Sequence, residues 1–236
     1  MATQNDIIVG FALYQGCTLV DFAGATQVFS ACDGFKPLWL ANEETITTTE
    51  GVTVVPNFTF SNAPEVAILF IPGGGQEGVI STMQNQIYLN FIKQIAETTL
   101  WNGSVCTGAF ILAAAGILKN CLATTYWSQI PTLGLLSNHL QLKIPPSYPR
   151  FSIDVERKIF TGGGISSSLD LALEMVLILK GLEAAQTAQL FIQYQPNPPV
   201  DAGDPDHAPQ YITDKLRKED QSFSDALALQ IKKIIN

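Results

Sequence analysis

The chain has 236 residues, 47% of them hydrophobic and 14% charged, and a formal net charge of −8. This length and hydrophobic share suffice for one sizeable core, so we expect a single domain over 1–236 rather than two small ones. An acidic chain without a basic run is poorly suited to bind nucleic acid or an anionic membrane.

The cysteines and histidines exclude several kinds of site. The sequence holds two histidines, too few for a zinc site rich in His. Its four cysteines are scattered, without a CxxC pair, which disfavours a structural zinc site and a disulfide framework. The N-terminal segment lacks the basic and apolar regions of a signal peptide, and no apolar run approaches the roughly 18 residues that span a bilayer. We therefore expect a cytoplasmic protein without a metal or cofactor.

Strands and helices alternate along the first half of the chain. The continuous apolar run over 7–14 is typical of a parallel strand buried on both faces. Apolar residues then recur at helical spacing from about Val20, which places Asp21 in the first turn of a helix. Similar patterns predict strands at 36–42 and 67–72, a β-hairpin within 46–60 and an amphipathic helix over 85–98.

Two features follow the carboxyl ends of these strands, where open parallel sheets bind their ligands. Asp21 lies on the segment that leaves the first strand, although an acidic residue there also stabilises the helix dipole. Three glycines, 73–75, follow the strand at 67–72. We interpret Gly74 and Gly75 as oxyanion donors, because glycines let backbone N–H groups turn toward a ligand; a tight turn is the alternative.

The stretch over 101–118, WNGSVCTGAFILAAAGIL, predicts a nucleophile elbow. A short strand runs into Cys106, and a buried helix follows. Gly108 provides the room that the helix needs to leave close to the strand. The helix start favours a thiolate at Cys106, although a free cysteine in a buried strand would give a similar pattern.

The second half of the chain completes an α/β pattern. The five prolines of 196–209 exclude regular structure there, and 210–236 is polar and helical, which predicts an extension packed outside the core. Together the patterns indicate a flavodoxin-like fold, in which helices sandwich a mainly parallel sheet. The remaining predictions are a β-prone segment at 122–127, a helix at 131–139, a β-hairpin over 151–161 and core helices at 169–182 and 184–194.

Four motifs together resemble the ThiJ/PfpI superfamily, which has the class I glutamine amidotransferase-like fold. They are TLVDFAGATQVF, AILFIPGGG, GSVCTGAFILAAAGIL and TGGGISSSLDLALEMV, in this order. Within that superfamily, VCTGAFILAAAGIL followed by ATTYW, and the tail PPVDAG, are similar to the isonitrile hydratases. The resemblance covers about 6–208 of the chain.

The resemblance implies a homodimeric enzyme that hydrates a small isonitrile, R–N≡C, to an N-substituted formamide. It assigns the catalytic roles to Cys106, Asp21 and Thr107. Further residues at the strand ends are expected to bind the substrate or a developing charge: Gly74, Gly75, Tyr126, Trp127 and Ile165.

Two departures bear on the alternatives. PfpI-type peptidases carry His after the nucleophilic Cys, where this chain has Thr107, and many hydratase-like relatives carry His at the position of Tyr126. The Cys–His dyad of other branches is absent at both positions, which weakens the peptidase and amidotransferase interpretations. A glyoxalase or deglycase, a redox sensor acting through Cys106, and the sensor half of a transcription regulator remain as alternatives.

Overall fold

Within residues 6–235, the part of the chain that the computed structural model describes, nine strands form. Residues 1–5 and residue 236, which the sequence analysis counts in the N-terminal segment and the C-terminal extension, lie outside the described residues. The strands are β1 (Ile7–Ala12), β2 (Phe35–Ala41), β3 (Ile46–Thr47), β4 (Thr53–Val54), β5 (Phe58–Thr59), β6 (Ile68–Ile71), β7 (Trp101–Ser104), β8 (Phe151–Asp154) and β9 (Ile159–Gly162).

Seven of these strands make one sheet, in the order β5-β2-β1-β6-β7-β9-β8. All neighbours are parallel except the edge strand β8, which is antiparallel to β9. The carboxyl ends of β1, β6, β7 and β9 therefore lie at one edge of the sheet. The predicted hairpin is confirmed as β3 and β4, which pair with each other outside the main sheet.

Ten α-helices occur in the described part of the chain, and they pack in two groups on the sheet. One group consists of α1, α7 and α8, and the other includes α2, α3, α4 and α10. The predicted sandwich of a mainly parallel sheet between helices is thus confirmed. The helices are α1 (Leu19–Ser30), α2 (Gln76–Gln84), α3 (Gln86–Ala96), α4 (Gly108–Ala114), α5 (Ile130–Gly134), α6 (Ser137–Leu140), α7 (Ser167–Lys180), α8 (Leu182–Phe191), α9 (Gln210–Glu219) and α10 (Gln221–Ile235).

Four local predictions need correction. The β-prone segment at 122–127 forms only an isolated bridge at Leu122, and α5 and α6 replace the single helix expected over 131–139. The helix α2, which directly follows the triple glycine, is an addition that the sequence analysis did not predict. The helix α8 contributes only one face to the core: Ala188 is fully buried, whereas Leu190 and Phe191 are 79% and 74% exposed. By contrast, Leu227 and Ile231 of α10 are buried, so the C-terminal extension joins the core.

The packing at the centre of the sheet requires a glycine, Gly103, next to the ring of Phe160. Gly103 of β7 pairs with Phe160 of β9 and with Phe70 of β6. A Cβ atom on Gly103 would lie 2.1 Å from the Phe160 ring, so only glycine leaves room for that fully buried side chain. No helix within residues 6–235 is both long and apolar enough to cross a membrane.

Gly103→Ala should destabilise the protein strongly, because its methyl group would overlap a ring that close-packed neighbours hold in place. Overpacking of a core typically lowers the free energy of unfolding by about 1–3 kcal/mol. For an overlap of this size we expect a loss of about 3 kcal/mol or more. The free energy of unfolding in a urea titration measures the effect.

Gly134→Ala is the matched control, since a Cβ atom there meets nothing within 4 Å and the residue ends α5. Its midpoint in urea should equal or exceed that of the wild type. Equal losses in the two variants would contradict the proposed role of Gly103.

Candidate active site

Cys106 occupies a sharp corner between β7 and α4. Its φ of 54° lies in the left-handed region, which a residue other than glycine adopts only under local constraint. The Cys106 N–H donates to the Gly163 carbonyl at 2.7 Å, and the Thr125 hydroxyl donates to the Cys106 carbonyl at 2.8 Å. A Cβ atom on Gly108 would lie 2.6 Å from the Ile71 carbonyl oxygen, so the helix can leave this close to β6 only with glycine there.

Asp21 lies in the first turn of α1 and is fully buried. Its Oδ2 accepts a hydrogen bond from the Gly73 N–H at 2.7 Å. Its Oδ1 has no hydrogen-bond partner within residues 6–235. A buried carboxyl group normally satisfies both oxygens, so the second oxygen of Asp21 is available to a ligand or to a neighbouring proton donor.

Gly73 is the point where the candidate catalytic residues meet. A Cβ atom placed on Gly73 would lie 2.7 Å from Cys106 Cβ, 2.8 Å from Asp21 Oδ2 and 2.8 Å from the Thr107 nitrogen. The carboxyl group and the thiol-bearing carbon therefore flank one small volume, although 85 residues separate them in the chain.

Both acidic groups of this pair hold their protons more tightly than usual. Burial raises the pKa of Asp21 to about 8, the hydrogen bond from Gly73 lowers it in part, and the Glu50 charge adds to the rise. Burial also raises the pKa of the Cys106 thiol well above its ordinary value, the Asp21 charge raises it further, and hydrogen bonds from Thr107 offset only part. Burial and the Asp21 charge therefore oppose the thiolate that the helix start was expected to favour.

The predicted oxyanion donors are already engaged. The Gly74 N–H donates to the Thr107 hydroxyl oxygen at 3.0 Å, and the Gly75 N–H donates to the Gly16 carbonyl at 3.0 Å. Thr107 is 2% exposed and follows Cys106 directly in the chain. The triple glycine thus acts on the site by fixing Asp21 and Thr107, and the Thr107 N–H is the backbone donor that faces the sulfur.

Tyr126 lies close enough to Cys106 for their charges to interact, and Trp127 and Ile165 are the other expected substrate-binding side chains on this side. Burial raises the pKa of the Tyr126 phenol, the Asp220 charge raises it further, a hydrogen bond from Trp127 lowers it, and the Cys106 charge raises it. The Trp127 ring packs edge-on against Tyr126, with 5.7 Å between ring centroids. Ile165 is 43% exposed, two residues beyond Gly163. The Phe22 ring, one residue after Asp21, is fully buried and packs edge-on against Trp39.

The C-terminal extension borders this side of the site. Asp220, between α9 and α10, accepts a hydrogen bond from the Ser128 hydroxyl at 2.6 Å. Arg217 of α9 lies over the Trp127 ring, 5.5 Å from its centroid, and donates to the Tyr148 hydroxyl at 3.1 Å. The extension therefore holds the aromatic side chains on this side of the candidate site, a role that its polar sequence does not reveal.

Three other neighbours of Asp21 escaped the sequence analysis. Tyr14, just past β1, is buried and donates its hydroxyl proton to the Pro72 carbonyl at 3.1 Å, and Asp21 and Cys106 are among the charges that raise its pKa. Cys17 is fully buried beside Gly74. Glu50, at the turn of the β3–β4 hairpin, accepts the Leu19 N–H at 3.0 Å. Because Tyr14 and Cys17 follow the end of β1, their presence at the site could have been predicted from the sequence. The contact of Glu50 with Leu19 could not, since no local pattern indicates it.

Neither histidine belongs to the site. His139 is exposed in α6, and His207 is exposed in the proline-rich segment. Within residues 6–235, no group of three or more His, Cys, Asp or Glu side chains is arranged to hold a metal ion. The chemistry available at Gly73 is therefore that of a thiol, a carboxyl group with a raised pKa and the donors of Thr107.

The stability of the protein should decline between about pH 4 and 8 because of Asp21. The folded state keeps this carboxyl group protonated up to about 8, whereas the unfolded chain releases the proton near the ordinary value of 3.8. The stabilisation is thus complete below the unfolded pKa and is lost as the pH rises through the folded pKa, with a span on the order of 5 kcal/mol.

Asp21→Asn is the matched variant, since its amide oxygen can still accept the Gly73 N–H while the charge is removed. Thermal melting across this pH range should show the wild type losing stability relative to the variant. Parallel curves for the two proteins would mean that the buried carboxyl group does not titrate as proposed.

Comparison with known proteins identifies the family of this chain. Residues 8–176 match the DJ-1/PfpI family. The chain is 34% identical to the isonitrile hydratase of Pseudomonas putida over 215 residues, 89% of this chain and 88% of that enzyme. It is 25% identical to the transcriptional regulator GlxA of Rhizobium meliloti over 191 residues, 78% of this chain and 56% of the regulator. The crystal structure of a ThiJ/PfpI family protein from Pseudomonas syringae superposes with a TM-score of 0.87 at 30% identity, covering 95% of this chain and 90% of that protein. The chain thus belongs to the DJ-1/PfpI family.

Proposed function

We propose that this protein is an isonitrile hydratase, which adds water to R–N≡C and releases the formamide R–NH–CHO. The observation that carries the proposal is the meeting of Asp21 and Cys106 at Gly73, in a site closed to solvent. An isonitrile carbon must receive both a proton and an oxygen, so a nucleophile and a proton carrier are needed at the same atom. Similarity to the Pseudomonas putida enzyme supports this substrate class.

The first half of the reaction forms a thioimidate. The Asp21 carboxylate accepts the proton of the Cys106 thiol, and the sulfur attacks the terminal carbon of R–N≡C. The lone pair of that carbon takes the proton back from Asp21, which gives R–N=CH–S–Cys106 and restores the carboxylate. Burial raises the pKa of both groups, so each can hold the transferred proton in turn, as general acid–base catalysis requires.

The second half replaces sulfur by oxygen. The Asp21 carboxylate takes a proton from water, the oxygen adds to the thioimidate carbon, and Asp21 delivers the proton to nitrogen. The resulting R–NH–CH(OH)–S–Cys106 collapses as its hydroxyl proton passes through Asp21 to the leaving sulfur. The C–S bond breaks, R–NH–CHO departs, and the thiol and carboxylate return to their starting states. The Thr107 N–H, which faces the sulfur, stabilises the developing thiolate in both halves.

Cys106→Ala and Asp21→Asn should each reduce the turnover of an isonitrile such as cyclohexyl isocyanide by roughly 1000-fold or more, because each removes one of the two reacting groups. The turnover rate is measured by chromatography of the formamide that is released. In the wild type, kcat/KM should rise as the pH increases through about 8, since Asp21 must be ionised to accept the thiol proton.

Cys32→Ala provides the control, because Cys32 lies at the far end of α1 and outside the site. It should keep the turnover of the wild type. Substantial activity in Cys106→Ala or Asp21→Asn would refute the mechanism.

The alternatives receive less support from the site. A redox sensor needs a thiolate that is readily oxidised, and the raised pKa of Cys106 opposes one. Glyoxalases and deglycases of the superfamily use a nearby histidine, and both histidines of this chain lie elsewhere on the surface. Methylglyoxal is the substrate that tests the second alternative.

We further propose that the protein is a cytoplasmic homodimer without nucleic-acid or membrane partners. The exposed apolar side chains on α7 and α8 support self-association, because monomers seldom expose such a group together. Leu190 and Phe191 are 79% and 74% exposed, and Leu177 and Ile178 of α7 are 37% and 39% exposed.

A double substitution of Leu190 and Phe191 by Glu should turn a wild-type dimer of 25.6 kDa chains into a monomer, because two charges would enter the apolar contact. Sedimentation velocity distinguishes the two species. Val155→Glu, at a 58% exposed position in the β8–β9 turn, is the control that should remain dimeric. A monomeric wild type would end this part of the proposal.

A further inference from the structure

The reacting centre has room for very little of a substrate. Asp21 is fully buried, Cys106 is 7% exposed, and Gly73 touches both. A linear N≡C group is thin enough to approach the sulfur, whereas a ring or a branched chain is not. Most of any larger isonitrile must therefore lie outside this centre, against some other part of the chain.

A cavity opens one residue from the backbone partner of the nucleophile. The Cys106 N–H donates to the Gly163 carbonyl, and Gly164 follows directly in the chain. Gly164 packs beside the Tyr126 ring, since a Cβ atom there would lie 3.5 Å from Cδ2. Gly164 also lines a cavity of about 480 Å³, which we call the proline-rich cavity. Its wall is completed by the segment before β8, with Tyr148 and Arg150, and by the proline-rich segment, with Val200, Asp201, Ala202 and Asp204.

The walls of the proline-rich cavity are held in place. Arg217 donates to the Tyr148 hydroxyl and lies over the Trp127 ring, which in turn packs on Tyr126. On the opposite side, Pro198 and Pro205 restrict the backbone of the proline-rich segment. A site that is largely formed before binding loses little conformational entropy when a ligand enters.

Charge gives the cavity a preference. The Arg150 guanidinium pairs with Asp170 and also donates to the Ser166 hydroxyl, so its charge is compensated. Neither Asp201 nor Asp204 takes part in an ion pair within residues 6–235. Within the described part of the chain, the lining residues therefore carry two unpaired carboxylates, against one unpaired guanidinium nearby, that of Arg217, which contacts Tyr148 but does not line the cavity. The net uncompensated charge is negative, and the remaining lining consists mainly of proline, glycine and small aliphatic residues with the Tyr148 ring.

We propose that the proline-rich cavity is the subsite for the substituent R of the isonitrile, and that it selects ring-sized neutral or cationic groups over anionic ones. The inference rests on the proposed hydratase function and names its substrate class. A volume of about 480 Å³ lies within the usual range for small-molecule sites and accommodates a benzyl or cyclohexyl group. The proline-rich segment and Tyr148 are thus specificity determinants, although they lie far from Cys106 in the sequence.

Size selection is tested with Ala202→Trp and Val200→Trp, both at exposed backbone positions where an indole would fill the cavity without disturbing the core. We expect the ratio of kcat/KM for benzyl isocyanide to that for methyl isocyanide to fall by roughly ten-fold or more in each variant. Val155→Trp, at the distant β8–β9 turn, is the matched control and should keep the ratio of the wild type.

Charge selection is tested with isocyanoacetate and its methyl ester, which differ mainly in one negative charge. In the wild type, kcat/KM for the ester should exceed that for isocyanoacetate by roughly ten-fold or more. In the double variant Asp201→Asn, Asp204→Asn, this ratio should be smaller.

The outcomes separate the two proposals. If the wild type hydrates methyl isocyanide but neither tryptophan variant changes the benzyl-to-methyl ratio, the subsite is refuted and the hydratase function stands. If the wild type hydrates neither methyl nor benzyl isocyanide, the function is refuted and the subsite falls with it. Circular dichroism of each variant separates a filled cavity from a failure to fold.

Discussion

The hydrogen bond from the Gly73 N–H to the Asp21 carboxyl group is the contact on which the site depends. It joins the loop after β6 to the first turn of α1, directly under the corner that carries Cys106. No side chain larger than hydrogen fits at Gly73, so the three segments approach one another only because glycine is there. The closeness has an electrostatic cost, since two acidic groups share a volume from which water is excluded.

Burial of the two acidic groups, rather than the helix dipole, accounts for the direction of their pKa shifts. The first turn of α4 was expected to favour a thiolate, yet burial and the Asp21 charge outweigh the dipole and the Thr107 donors. A helix of seven residues offers a small dipole, whereas desolvation acts on the whole charge. The result is a pair of weak acids rather than a preformed nucleophile, and such a pair is suited to moving one proton repeatedly.

Most of the fold could be predicted from the sequence, because strands that are buried on both faces appear as continuous apolar runs. It also indicated Cys106 and Asp21, because both follow strand ends. It could not indicate Glu50 or Asp220, since each reaches the site through a contact across 31 or more residues that no local pattern records. The roles of Gly74 and Gly75 were misjudged for a related reason: a glycine run predicts freedom of the backbone, but not the groups with which its N–H donors pair.

The β3–β4 hairpin limits how the site can open. Its Glu50 side chain accepts the Leu19 N–H, and the Thr49 N–H donates to the Cys17 carbonyl, so the hairpin is fastened to the segment that carries Asp21. A movement of the hairpin away from the site would displace the segment that carries Asp21. The hairpin is therefore unsuited to serve as a moving lid, because Asp21 would have to move with it.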